Sequence, residues 1–148
     1  MENDVIYTIG YTQKNAEKFF SLLSSTKASK IVDIRLNNTS QLAGFTKHDD
    51  LSFFLKKILS WKYEYQPILA PTKELLDNYK KGRISWIDYE NIFIRIMEER
   101  KISERIMRES IVNSVLLCSE NLPNFCHRRL VAEYFKSIWE DIEIKHLF

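Results

Sequence analysis

Residues 114–129 read Ser-Val-Leu-Leu-Cys-Ser-Glu-Asn-Leu-Pro-Asn-Phe-Cys-His-Arg-Arg. An apolar run, Val115 to Cys118, is short enough for a buried strand. A polar segment with Pro123 and Asn124 follows. The residues from Leu130 to Trp139 then return to a helical spacing of apolar positions. The stretch therefore reads as strand, loop and amphipathic helix, the repeating unit of a parallel α/β sheet. Cys118, Glu120, Cys126, His127, Arg128 and Arg129 crowd its loop. Open α/β sheets bind ligands at the carboxyl ends of their strands, so the fold-deciding stretch also marks the place to look for a site.

The same alternation runs outward in both directions. Val5–Ile9 is β-prone and closed by Gly10, and Asn15 can cap a helix through Leu23. Lys30–Leu36 reads as a second strand, followed by the polar stretch Asn37–Lys47. A helix from Asp49 or Asp50 to Leu59 carries Leu51, Phe54, Leu55 and Ile58 at helical spacing. Tyr63–Leu69 reads as a third strand, with Pro67 marking an edge or a turn. Thr72 caps a helix to Tyr79 that Gly82 ends. Ser85 and Asp88 form a capping-box start for a longer helix with Trp86, Tyr89, Phe93 and Ile96 on one face. Ile102–Val112 is a separate helix, Val115–Cys118 the fourth strand and Ile142–His146 the last. The expected fold is a single α/β domain over residues 1–148. Its sheet is mostly parallel with helices on both faces, a Rossmann-like or flavodoxin-like sandwich.

Composition narrows the function. The chain has 148 residues, 45% apolar and 28% charged, with a formal net charge of +2. That balance permits contact with phosphate and falls short of the basic footprint of a DNA-coating protein. Two cysteines are too few for a disulfide framework. The N-terminus is acidic and lacks the pattern of a secretory signal. No apolar run approaches the roughly 20 residues of a membrane span. The expectation is a cytoplasmic protein with reduced thiols and no membrane partner, its oligomeric state left open.

The candidate catalytic residues are Cys118, Glu120, Cys126 and His127. The candidate ligand-binding residues are Gly10, Asp33, Arg35, Ser40, Arg128 and Arg129. A thiol in the first helical turn beside His127 and two arginines has its thiolate favoured. The same donors suit a phosphate or carboxylate. Taken alone, Cys126 reads as a residue packed under the loop and Cys118 as a small core hydrophobe. The two sulfurs could also meet across the loop, as a redox pair or as two metal ligands with His127. The spacing matches no common zinc pattern, so no metal ligand set is assigned and no cofactor is expected. Asp33 and Arg35 alternate with Ile34 and so share a face, where charge is costly unless paired or lining a pocket. His48 and His146 have no companions and read as surface residues.

These residues resemble a known family, the domain-of-unknown-function family four hundred and eighty-eight. The likeness is carried by Tyr7-Thr8-Ile9-Gly10-Tyr11-Thr12, Val32-Asp33-Ile34-Arg35, Ser40 to Lys47 and Leu69 to Leu75. Above all it rests on Leu117-Cys118-Ser119-Glu120 followed by Cys126-His127-Arg128-Arg129. The resemblance implies a compact α/β fold and a shared site of Arg35, Cys118, Glu120, Cys126, His127 and Arg128. It supplies no established activity. Tyr11 departs from the histidine many relatives carry there.

Three functional expectations follow. The first is an enzyme acting on a phosphate-bearing small molecule, a nucleotide or related metabolite. Arg35 and Arg128 would hold the anion, a cysteine would attack, and His127 and Glu120 would move protons. Whether the chain catalyses at all is left open by the residues. The second is a nucleic-acid-binding module without chemistry, using Lys56, Lys57, Lys62, Lys80, Lys81 and Arg83, with Trp61 and Tyr65 stacking on bases. The third is a redox or metal protein using Cys118, Cys126 and His127. Rhodanese-like and phosphatase-like loops share the logic of a thiolate in an anion cradle, but their Cys-to-Arg spacing is absent.

Overall fold

A computed structural model describes residues 4–38, 44–120 and 122–148. Five strands form one sheet: β1 (Asp4–Gly10), β2 (Lys30–Asp33), β3 (Lys62–Tyr65), β4 (Val115–Cys118) and β5 (Ile142–Leu147). Their order is β3-β2-β4-β1-β5, and every pairing is parallel. The layered α/β class is as expected. The order itself is neither the 3-2-1-4-5 nor the 2-1-3-4-5 arrangement, because β4 inserts between β2 and β1.

Side-chain parity divides the core in two. Val5, Tyr7 and Ile9 of β1, Ile31 of β2, and Val115 and Leu117 of β4 face one layer. That layer holds α1 (Ala16–Ser24) and α2 (His48–Phe54). Ile6, Val32, Ile34, Leu116 and Cys118 face the other. There lie α3 (Lys73–Lys80), α4 (Trp86–Glu99), the short α5 (Ile102–Arg105) and α6 (Arg108–Ile111), and α7 (His127–Ile138). Phe19, Phe20 and Leu23 fix α1 on its layer; each such burial is worth roughly 1.5–3 kcal/mol.

Local signals start and stop the helices. Asn15 Oδ1 accepts from Lys18 N, and Thr72 Oγ1 from Leu75 N. Ser85 and Asp88 exchange the two bonds of a capping box at α4. Gly82, at φ +71°, closes α3.

Several boundaries differ from the sequence reading. β2 stops at Asp33 rather than Leu36, because Arg35 N turns to Asp33 Oδ1 instead of a neighbouring strand. The third strand ends at Tyr65, and Pro67–Leu69 forms a 3-10 turn. The helix after Asp49 changes at Leu55–Leu59 to a π-helical turn ended by Ser60 in the left-handed region. Ile58 is left exposed there. The expected helix over Ile102–Val112 is two, separated near Ile106, whose backbone is extended.

β1 and β4 are neighbours whose chains leave in opposite directions, one into α1 and the other into α7 on the far layer. Such a divergence opens the crevice at which α/β sheets bind ligands. Gly10 lies beside Cys118 in register at that edge.

Candidate functional site

Cys118 ends β4, and Cys126 is the residue that caps α7. The fold brings their sulfurs together as a disulfide, with the Cα atoms 7.5 Å apart. Both are nearly sealed, at 1% and 4% exposure. His127 opens α7, and its Nε2 lies 2.7 Å from Ile34 O at the end of β2. A carbonyl only accepts, so Nε2 carries the proton and Nδ1 keeps its lone pair. Burial pushes the His127 pKa down to about 4, helped by the Arg128 charge and opposed by the Ile34 bond and by Asp33. The imidazole is therefore neutral at pH 7. Donor atoms of Cys118, Cys126 and His127 all lie within 4.8 Å of one another.

Arg128 is completely buried above this group. It donates through Nε to Thr8 Oγ1 at 3.2 Å and through Nη1 to Cys118 Sγ at 3.4 Å and to Glu120 O. Burial lowers its pKa to about 10, with Glu120 acting against the fall, so the guanidinium stays charged at neutral pH. Lys14, in the loop after β1, is nearly buried. Desolvation, then the charges of Arg128 and Lys18, brings its ammonium down to about 8. Thr8 Oγ1 also lies 2.5 Å from His146 Nδ1. His146 is therefore not the surface residue expected: it is half-buried, and burial followed by the Arg128 and Arg129 charges lowers its pKa.

Gly10 belongs to this centre for a steric reason. A Cβ at Gly10 would fall 1.5 Å from Glu120 O and 2.6 Å from Arg128 Nη1. The absence of a side chain lets the loop after β4 close over the end of β1. Thr12 N reaches Ser119 O at 3.0 Å and ties the two loops together.

Asp33 and Arg35 form a second centre on the other side of the sheet. They share parity with Ile31, so they face the α1/α2 layer, whereas Val32 and Ile34 face α7. Arg35 Nε and Nη2 donate to Asp33 Oδ1 and Oδ2 at 2.9 and 2.8 Å, and Nη2 also to Thr46 O at 2.6 Å. Its guanidinium lies over the Tyr11 ring, 5.5 Å from the centroid. Burial opposes the Arg35 charge, but the Asp33 hydrogen bonds and carboxylate overcome it and raise the pKa. Tyr63 Oη donates to Asp33 Oδ2 at 2.5 Å, and burial together with that carboxylate pushes the phenol up. The single pocket expected to join Arg35 with Cys126 is thus two centres, back to back at one sheet edge.

The remaining candidates scatter. Glu120 contributes its carbonyl to Arg128 while its side chain is exposed. Arg129 turns away to Glu90 and Glu133 and fastens α7 against α4. Ser40 lies outside the described residues. Trp61 is buried in the α1/α2 layer and cannot stack on a base; Tyr65 Oη donates to Arg35 O. Lys56, Lys57, Lys62, Lys80, Lys81 and Arg83 are all exposed. An apolar surface groove of about 410 Å³ lies elsewhere, between α1 and α2, lined by Phe20, Phe45, Phe54 and Ile58.

Thr8, Lys14, Tyr63 and His146 escaped the sequence reading. Thr8 could have been found from its parity with Gly10. Lys14 carries no local signal, because only the folding of its loop toward Arg128 distinguishes it from other surface lysines.

Fold and site define a parallel α/β protein with a buried cysteine–histidine–arginine centre at the switch between diverging strands. The chain belongs to the family DUF488, a domain of unknown function, which it matches over residues 15–135. The match begins after β1, so Tyr7–Thr12 lies outside it. No curated protein and no solved structure matches the chain. Among the described residues, no helix is long and apolar enough to cross a membrane.

Proposed function

We propose that this protein is an enzyme that binds a small phosphate-bearing ligand at the divergence of β1 and β4, with sulfur from Cys118 or Cys126 as the reactive group. The observation carrying the reading is a pair of buried cations at this edge: Arg128, whose Nη1 lies 3.4 Å from Cys118 Sγ, and Lys14, whose ammonium feels the Arg128 charge. An anion bound beside them would be attracted by both charges at once. The opening turn of α7 adds its positive dipole end. Arg35 has no part in this cradle, since it faces the α1/α2 layer with its Nε and Nη2 donors on Asp33 and Thr46. Neutral His127 suits proton transfer more than anion holding.

The test is a titration of the reduced, metal-free protein with inorganic phosphate and pyrophosphate, followed by amide chemical shifts. Expected are saturable shifts confined to the loop after β1 and the start of α7, weakening as salt rises. Lys14→Met lowers the affinity at least about fivefold, the worth of roughly 1 kcal/mol of charge pairing. Unsaturable shifts, or shifts spread over the exposed lysines, overturn the reading.

The joined sulfurs favour a second reading, a dithiol–disulfide redox protein. A thiol count on denatured protein, prepared with and without reductant, separates the two. Two thiols found without reductant remove the redox reading.

A further inference from the structure

The geometry points to a metal site: once reduced, Cys118 and Cys126 act with His127 as a three-ligand set for a divalent, borderline-soft ion of the zinc class. Three observations converge. The donor atoms lie within 4.8 Å of one another, close enough for a single ion to gather them once the bond between the sulfurs is opened. His127 makes the hydrogen bond to a backbone carbonyl that metal-binding histidines make. Its Nε2–H is held by a backbone carbonyl, Ile34 O, which leaves Nδ1 as the ligating nitrogen. The Cα separation of 7.5 Å is wider than the roughly 4.4–6.8 Å of ordinary bridged pairs, and this backbone spacing suits two thiolates sharing an ion.

Charge supports the same conclusion. Two buried thiolates side by side repel each other, and a divalent cation cancels their charge. The Arg128 Nη1–H pointing at Cys118 Sγ stabilises the thiolate form of that ligand. Two thiolates and an imidazole favour zinc over the oxygen-seeking ions magnesium and calcium. Three protein ligands, rather than four, are the number found at catalytic zinc, where the fourth position takes water or substrate.

The chemistry balances through a named reductant. A dithiol delivers two electrons and two protons to the Cys118–Cys126 bond and itself becomes a disulfide. The two thiols then release their protons as the ion binds. The inference concerns the same sulfurs as the proposed enzyme but needs no anionic ligand. The metal titration is therefore run without phosphate, and the phosphate titration without metal, so each idea fails on its own.

The experiment reduces the whole chain, strips metal with a chelator and titrates Co2+ and then Zn2+ under anaerobic conditions. The expected result is one equivalent of Co2+ with thiolate-to-cobalt charge transfer and the visible bands of a tetrahedral ion, both bleached by Zn2+. Oxidised protein shows neither. Cys118→Ser and Cys126→Ser each diminish the charge-transfer band and weaken Zn2+ by more than the roughly 10–100-fold that loss of an outer partner costs, and the double substitution abolishes the band. His127→Gln keeps the band and weakens the affinity. A second measurement needs no variant: saturating Zn2+ must slow the reaction of both reduced thiols with a disulfide reagent. No charge transfer, equal binding by oxidised protein or by the doubly substituted chain, or unprotected thiols at saturating Zn2+ overturns the site.

Discussion

Replacing Asp33 by Asn tests whether the second centre is a structural clamp or part of a ligand site. Asp33 is fully buried and accepts from Arg35 Nε, Arg35 Nη2, Arg35 N and Tyr63 Oη at 2.9, 2.8, 3.1 and 2.5 Å. Asparagine keeps Oδ1 for Nε and the backbone N–H. It presents an NH2 to Nη2, where two donors now face each other, while Tyr63 Oη must turn from donor to acceptor. The lost charge leaves Arg35, 4% exposed, with that neutral Oδ1, Thr46 O and the Tyr11 face as its remaining partners. Hydrogen bonds to charged groups contribute about 1.5–3 kcal/mol each, and removing one member of a buried pair costs about 3–5 kcal/mol. The expected loss is about 3 kcal/mol, a large share of an ordinary domain stability of roughly 5–15 kcal/mol. Urea unfolding at pH 7, read by tryptophan fluorescence, reports it as a lower midpoint at unchanged slope. Arg35→Met in the Asp33→Asn background recovers part of the loss, because the uncompensated charge is gone. A loss below about 1 kcal/mol, or strict additivity of the two substitutions, refutes the clamp. Phosphate affinity that collapses while stability is unchanged would return Arg35 to the ligand site.

Three further outcomes are expected. Gly10→Ala, ordinarily neutral or slightly stabilising through the unfolded chain, instead costs at least about 2 kcal/mol in a thermal melt. The reason is that the new methyl overlaps Glu120 O and forces the loop after β4 away. Phosphate binding falls as pH rises through about 8, because Lys14, with its lowered pKa, loses its charge there; titrations at pH 7 and pH 9 in buffers of equal ionic strength show the drop. Ser85→Ala breaks the capping box of α4 and costs about 1 kcal/mol by urea unfolding, without altering the phosphate titration.

Local chemistry made much of the architecture legible before any coordinates. Apolar runs at Val5–Ile9, Ile31–Val32 and Val115–Cys118 alternate with capped, amphipathic helices, and that alternation alone demands a parallel sheet. Asn15, Thr72 and Ser85 announce their helices through bonds made within three residues. The nearness of Cys118, Cys126, His127 and Arg128 was legible for the same reason, since Cys118 to Arg128 spans one strand–loop–helix unit. What the sequence could not supply is anything that depends on which strands become neighbours. The insertion of β4 between β2 and β1 sets Gly10 against Cys118, and the pairing of β5 with β1 sets His146 beside Thr8, which Arg128 also reaches. Strand parity, with the early end of β2, turns Asp33 and Arg35 toward α1 while Ile34 offers its carbonyl to His127. The meeting of two sulfurs and an imidazole is likewise a matter of loop closure, invisible in a spacing that fits no metal pattern. Short-range hydrogen bonds and hydrophobic periodicity are written along the chain. Contacts between residues a hundred positions apart exist only once the sheet has chosen its order.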